Sequence, residues 1–283
     1  IKNIQKIIPF ENAFEGDNVG LIIGTEKEEV QNIIVAHDLT LELLEHCLSK
    51  EINCVIVYHP PIHNSLDFVR FDNPYTEVVA KFISYKISVI SLHTALDASS
   101  GGNADTLAEL FKLDEITKFA FTNETSAAGR IGKIKETVPS NFLTEIENIL
   151  NTKVIRTNKY YSELQKINTV ALLPGSGTDF LDEVISKADV YVTGDISHHH
   201  FLLADVSRIG LVQISHIASE IPGVDKFCSD LGVVRFNQRL CFCAIICRKP
   251  KNWHFLMLGY SLSIMASFAC LRPAGVILYI TPL

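Results

Sequence analysis

The chain has 283 residues, with 25 Lys and Arg against 32 Asp and Glu for a formal net charge of −7, and it is 47% hydrophobic and 20% charged. A chain this long buries roughly 75% of the surface its unfolded form exposes, so it needs no disulfide or metal staple and has room for one large or two ordinary domains. The balance excludes a disordered or fibrous chain and argues against a basic footprint, so no direct nucleic-acid binding is expected.

In chain order, the first β-branched run is 32–36, which ends at His37-Asp38. Helical spacing at 41–49 leads to a second apolar run, 53–57, followed by Tyr58-His59-Pro60-Pro61 and His63. Helical spacing at 77–85 precedes a strand-like run at 87–92, after which come His93 and Asp97. A further helical stretch, 104–111, ends shortly before the texture changes near residue 119. There Asn123, Ser126, Gly129 and Gly132 lead to a helix at 142–150 and to Lys159-Tyr160-Tyr161 as a strand or loop. The run 169–173 is followed by Gly175-Ser176-Gly177, a helix at 180–186, and a run at 188–192 that ends in Thr193-Gly194-Asp195. Helical spacing at 197–204 carries His198, His199 and His200, and the last such run, 209–214, is followed by His216 and Glu220.

Short buried strands alternating with amphipathic helices indicate an α/β fold with mixed sheets. The composition places residues 1–118 plus 208–238 in a first α/β domain, with a second α/β domain, 119–207, inserted into it. The tail, 239–283, is atypical: its charged residues are Arg239, Arg248, Lys249, Lys251 and Arg272, with no acidic residue. The uncharged run 255–271 lies near the lower limit for a membrane span, but Gly259, its serines and the adjacent Arg272-Pro273 favour a buried hairpin or a poorly packed terminus, so membrane association is not expected. The 7 cysteines include no Cys-x-x-Cys pair, and Cys241, Cys243 and Cys247 sit among Phe, Ala and Ile. Reduced, buried thiols fit that setting better than a thiolate metal cluster. The cytoplasm is the default compartment. Because the first residue is Ile1, import into the nucleus or mitochondrion stays open.

Polar groups follow each apolar strand, and in an open α/β sheet ligands bind outside the carboxyl ends of the strands. Imidazoles and carboxylates gathered there suit Zn, Fe, Mn or Ni, and a carboxylate can bridge two ions. Individual pairs are weaker signals. His37 and His46 read as hydrogen-bonded turn residues. The four-residue spacings His93 to Asp97 and His216 to Glu220 would matter on a helix, but both stretches read as loop. His198 to His200 fit either a solvated helix start capped by Asp195 or Ser197, or membership of the site. Gly175-Ser176-Gly177 fits a tight turn or a phosphate cradle, and Gly16 to Gly24 fits a hairpin turn or a pocket wall.

Five ordered motifs now carry a resemblance: Asp17-Asn18-Val19-Gly20-Leu21; Tyr58-His59-Pro60-Pro61-Ile62; His93-Thr94-Ala95-Leu96-Asp97 with Asn103; Thr193-Gly194-Asp195 with His198-His199; and Ser215-His216 with Ser219-Glu220. Over about residues 1–232 the chain resembles the Nif-three-like proteins, also labelled GTP cyclohydrolase 1 type 2-like dinuclear metal-centre proteins. Ala128-Gly129-Arg130-Ile131-Gly132 is similar to the Gly-Arg stretch that opens their second domain.

The resemblance implies two α/β domains, two divalent metal ions and ring-like homo-oligomers, hexamers, with sites facing an inner cavity. Its ligands fall on His59, Asp97, His216 and Glu220, with Asp97 or Glu220 as the bridge and His93 completing the set or orienting a ligand. Bacterial members have a His-His pair where this chain has Tyr58-His59, so one imidazole is missing. Asp195, His198 and His199 are left for substrate or proton transfer. The family ends in a short strand soon after the His/Glu motif, whereas this chain runs into apolar sequence. An altered frame or splice form that lacks the closing strand is the expectation there. The activity implied is metal-dependent hydrolysis of a nucleotide-like or other small polar substrate. The alternative is a non-enzymatic oligomer with structural metals that binds transcription coregulators.

Overall fold

A computed structural model describes residues 1–231, 235–237, 242–249 and 252–255. The elements run α1 (Lys2–Gln5), β1 (Gly20–Ile23), β2 (Asn32–Ala36), α2 (Leu41–Ser49), β3 (Cys54–Val57), α3 (Glu77–Ser84), β4 (Ser88–Ser91), α4 (His93–Ala98) and α5 (Asn103–Leu110). They continue with β5 (Asp114–Phe121), β6 (Ala127–Thr137), α6 (Pro139–Leu150), β7 (Arg156–Thr157), β8 (Ile167–Ser176), α7 (Leu181–Val184), β9 (Val190–Gly194), α8 (His198–Val206), β10 (Gly210–Gln213) and α9 (His216–Asp230). Three strands close the described chain: β11 (Arg235–Asn237), β12 (Phe242–Lys249) and β13 (Asn252–Phe255).

The fold is mixed α/β with two mixed sheets, one in each of two compact units. Asn18–His93 and the described residues from Phe227 onward form the first unit, and Lys2–Asp17 with Thr94–Lys226 forms the second, whose larger segment is inserted between the two segments of the first.

The first unit is built on the strand order β1-β4-β3-β2-β12-β11, with β13 pairing β12. Strands β2, β3 and β4 are parallel and in register, Ala36 opposite Val57 and Val57 opposite Ser91. Parallel neighbours are joined by crossover helices that cover the sheet. Leu43, Leu44 and Cys47 of α2 and Val79 and Phe82 of α3 are buried in one cluster with Ile34, Val55, Val57 and Val89. The Thr40 hydroxyl caps α2 by accepting the Leu43 N–H at 3.1 Å, satisfying one of the donors a helix start leaves over.

The second unit has the order β5-β6-β8-β9-β10-β7, in which β8, β9 and β10 are parallel. Side chains alternate along a strand, and here both faces are buried. Val170, Leu172, Val190, Val192 and Val212 enter one core with Phe142 and Ile146 of α6, while Ala171, Leu173, Tyr191 and Leu211 enter another with Leu181 of α7 and Phe201 of α8. These strands read as unbroken apolar runs for that reason.

Three sequence expectations change. The sequence draws the first boundary near 119, but Leu107, Phe111 and Leu113 bury among Phe142, Val170 and Val190, so the chain leaves the first unit after His93. The sequence returns the 209–214 strand to the first domain, but β10 pairs with β9 and β7 in the second sheet. The closing strand expected to be missing is present: β12 pairs antiparallel with β2, Phe242 opposite Ala36. Most of the 255–271 run lies outside the described residues, and among the described residues no helix is long and apolar enough to cross a membrane. Cys47, Cys54 and Cys228 are buried and in no disulfide, and burial pushes the Cys47 thiol up to about 12 and that of Cys54 to about 11.

Candidate functional site

In the first unit the parallel ladder continues past the strand ends. Tyr58 N–H donates to the Ala36 carbonyl at 3.0 Å, His59 N–H to that of His37 at 3.0 Å, Leu92 N–H to that of Val57 at 3.0 Å, and His93 N–H to that of Tyr58 at 2.8 Å. In-register pairing of β2, β3 and β4 therefore brings His37, His59 and His93 to one edge of one sheet. His37 and His59 meet edge to face with ring centroids 4.5 Å apart, and His93 stands 5.7 Å from His59 and 5.4 Å from His63. The backbone of His93 turns through φ +33°, a left-handed conformation uncommon for a residue with a side chain and frequent at functional sites. Asn18 secures the loop after β3, its amide donating to the Ile62 carbonyl at 2.6 Å and the His63 carbonyl at 3.2 Å.

One carboxylate organises these rings. Nδ1–H of His37 donates to Asp38 Oδ2 at 3.0 Å, and Nδ1–H of His59 to Asp38 Oδ1 at 2.8 Å. The His37 bond, followed by that of His59, holds the Asp38 carboxyl far below the usual carboxylate range. An ionised carboxylate only accepts, so each ring carries a proton on Nδ1. An imidazole held through one ring nitrogen by an acidic partner is the arrangement metal-binding histidines adopt.

In the second unit the carboxyl ends of β8, β9 and β10 carry Gly175, Asp195 and His216. His216 lies between two carboxylates, with Nδ1–H donating to Asp195 Oδ2 at 2.5 Å and Nε2–H to Glu220 Oε1 at 2.8 Å. Both ring nitrogens donate, so the ring is an imidazolium. Glu220 chiefly, and Asp195 after it, raises its pKa to about 9. Glu220 is 2% exposed. A carboxylate that deep is stable only against a partner charge, and the proton shared with His216 supplies it.

Gly175, at φ +64°, leaves room for this pair: a Cβ there would lie 2.6 Å from Glu220 Oε1 and 3.3 Å from His216 Nε2. Its N–H donates to Ser219 Oγ at 2.8 Å, and Gly177 N–H donates to Thr193 Oγ1 at 2.9 Å. These amides are engaged within the protein, so the glycines serve close approach rather than a phosphate cradle.

Asp97 is buried on α4 and accepts from Asn103 Nδ2 at 3.1 Å, while Asn103 Oδ1 accepts the Gly223 N–H of α9 at 3.2 Å. His93 and His216 are the first residues of α4 and α9, so Asp97 and Glu220 each sit one helical turn on, where the sequence reads loop. His198 and His199 open α8 and are exposed, with ring centroids 5.8 Å apart, and His200 Nδ1 is 2.8 Å from Ser197 Oγ. Asp17 of the second unit accepts from the Thr94 hydroxyl, which makes the turn beside Gly16 a structural support. The strand ends thus gather His37, His59, His63 and His93 in the first unit and Asp195, His216 and Glu220 in the second. His37 is the addition: the sequence reads it as a turn residue, and the parallel neighbour strand is what turns it into part of a cluster.

Both donor sets fit divalent cations. In the first, imidazoles oriented by one carboxylate gather ring nitrogens at one sheet edge. In the second, an imidazole and a buried carboxylate already share a cation, the proton, and two negative charges face one ring.

Comparison with known proteins agrees with the fold. A protein named GTP cyclohydrolase 1 type 2 homolog from Streptococcus pneumoniae is 30% identical over 202 residues, 70% of this chain and 76% of its own length. NIF3-like protein 1 of Drosophila melanogaster is 26% identical over 88% of this chain and 86% of its own length. The crystal structure of a hypothetical protein of Staphylococcus aureus superposes with a TM-score of 0.73 at 27% identity, covering 82% of this chain and 89% of that one. The family model described as Duf34/NIF3 (NGG1p interacting factor 3) matches residues 1–249, past the limit near 232 drawn from the motifs and through β12. The chain belongs to the Duf34/NIF3 family.

Proposed function

We propose that the chain holds two divalent metal ions, drawn from zinc, iron, manganese and nickel, and acts as a metal-dependent hydrolase on a nucleotide-like substrate. The ligands are those the family resemblance assigns: His59, His93, Asp97, His216 and Glu220. The observation that carries the reading is the single ionised carboxylate of Asp38 meeting Nδ1 of both His37 and His59 and so orienting the strand-end imidazoles. The ions supply Lewis acidity and lower the pKa of water toward ~7. Asp195 orients the His216 ring through Nδ1. His198 and His199, exposed at the start of α8, are placed to exchange protons with solvent and substrate. The relatives' printed name, GTP cyclohydrolase 1 type 2 homolog, supports a nucleotide as the first substrate to try.

The second reading is a non-enzymatic homo-oligomer, a hexamer, whose metals are structural and which binds transcription coregulators. The family's printed description as an interacting factor favours it. Metal analysis of the full chain purified without chelator, followed by a nucleotide panel with GTP first, separates the two. Bound metal with metal-dependent turnover is expected. Bound metal with no turnover on any nucleotide supports the second reading, and absence of metal refutes both.

A further inference from the structure

We propose that His37 is itself a metal ligand, the imidazole that Tyr58 does not supply. The inference rests on the metal-centre reading and extends it to a residue outside the ligand set the resemblance assigns. His37 follows β2, and His59 follows its parallel neighbour β3 at the same level of the sheet, joined by the bond from His59 N–H to the His37 carbonyl at 3.0 Å. One ring nitrogen of each lies within 4.8 Å of the other, close to the limit of about 4.2 Å that two nitrogens on one ion can have. Asp38 treats both rings alike, taking Nδ1–H from each, so Nε2 of each is the nitrogen turned away from the carboxylate.

A buried imidazole has two ring nitrogens to satisfy. At Nδ1 of His37 the partner is Asp38, which also meets the ring that the family resemblance makes a ligand, so one carboxylate sets two imidazoles to one task. Tyr58 backs the arrangement: its ring lies against that of His37 with centroids 5.1 Å apart and planes inclined by 16°. The phenol is buried as packing behind His37 instead of standing in for an imidazole. His37 is 1% exposed, which shields the nitrogen from bulk water and keeps a bound ion from exchanging readily.

The test uses the full chain loaded with Co²⁺ or Zn²⁺ alone. His37→Cys with Co²⁺ should show a thiolate-to-cobalt charge-transfer band in the near ultraviolet, which wild type lacks and His59→Cys, the positive control, also shows. His37→Ala should bind Zn²⁺ at least tenfold more weakly in competition with a chelator. His37→Asn, which keeps a hydrogen bond to Asp38 but offers no imidazole, should not restore the affinity. A band in His59→Cys but not in His37→Cys, or wild-type affinity in His37→Asn, overturns the proposal and leaves the metal centre standing. A wild-type chain that binds neither ion overturns the metal centre together with it.

Discussion

Asn103 offers the sharpest test of how the second unit holds its carboxylates. Its side chain is fully buried, donates to Asp97 Oδ1 at 3.1 Å and accepts the Gly223 N–H at 3.2 Å. Gly223 has no side chain for the same reason, since a Cβ there would lie 2.5 Å from Asn103 Cβ. Truncation in Asn103→Ala removes one bond to a carboxylate, worth roughly 1.5–3 kcal/mol, and one neutral bond worth roughly 0.5–1.5 kcal/mol. A loss of about 3 kcal/mol lowers the melting temperature of a unit this size by about 6–12 °C. Asn103→Asp keeps an acceptor for Gly223 but sets a second carboxylate against Asp97, and is expected to destabilise more than alanine at neutral pH. The assay is thermal melting of the metal-free full chain, with metal affinity read in parallel. An outer hydrogen bond to a ligand typically changes that affinity by about 10–100-fold. A variant that melts within about 2 °C of wild type and binds metal equally well would refute the claim that Asn103 positions Asp97.

Two further outcomes follow from the His216 cluster. The folded pKa of His216, about 9, lies above the 6.5 of an unperturbed ring, so the stability it contributes to the metal-free protein is fully present below about pH 6.5 and is lost as pH rises through 9. Urea midpoints between pH 6 and 10 should fall more steeply in wild type than in His216→Asn, and equal slopes would refute the ion-pair reading. Gly175→Ala forces a side chain into φ +64° and against Glu220 Oε1, and is expected to cost about 1–3 kcal/mol and to lower the His216 pKa in an NMR titration. A titration unchanged from wild type would show that Glu220 does not depend on that close approach.

What the sequence shows of this fold depends on the range of the interactions involved. The runs at 32–36 and 169–173 are legible because strands buried on two faces are continuously apolar. Strand β5 is not, since its first five residues, Asp114 to Lys118, are exposed and polar or charged for the most part. The sheet that β10 joins depends on long-range pairing, which periodicity along the chain does not encode. The beginning of α4 is hidden because Leu92, which precedes it, offers no capping side chain, while α9 has a cap in Ser215, whose hydroxyl accepts the Ala218 N–H at 3.4 Å, but Pro222 interrupts its pattern. His37 escapes notice because its partners His59 and Asp38 matter only once β2 and β3 are paired in register. His93 with Asp97, and His216 with Glu220, carry a spacing of one helical turn that the chain displays openly, and only the weak helical pattern around each pair obscures it.

The two units repeat one design. In each, a short strand (β1 or β7) is followed by three parallel strands (β2, β3, β4 or β8, β9, β10), and that short strand pairs antiparallel with the third of them. A further antiparallel strand, β12 or β6, flanks the first of the three. The third parallel strand leads in both cases into a helix whose first residue is a histidine, with a carboxylate four residues on: His93 and Asp97 of α4, His216 and Glu220 of α9. The repeats differ at the ends of the first two parallel strands, which carry His37 and His59 in one and Gly175 and Asp195 in the other. With histidines after all three strands, the first repeat gathers imidazoles about the single carboxylate of Asp38. The second, with a glycine in place of the first of them, lets Glu220 close on His216 from one side while Asp195 closes from the other. One backbone plan therefore yields a nitrogen-rich cluster and an oxygen-rich one, and the residues at the ends of the first two parallel strands distinguish them.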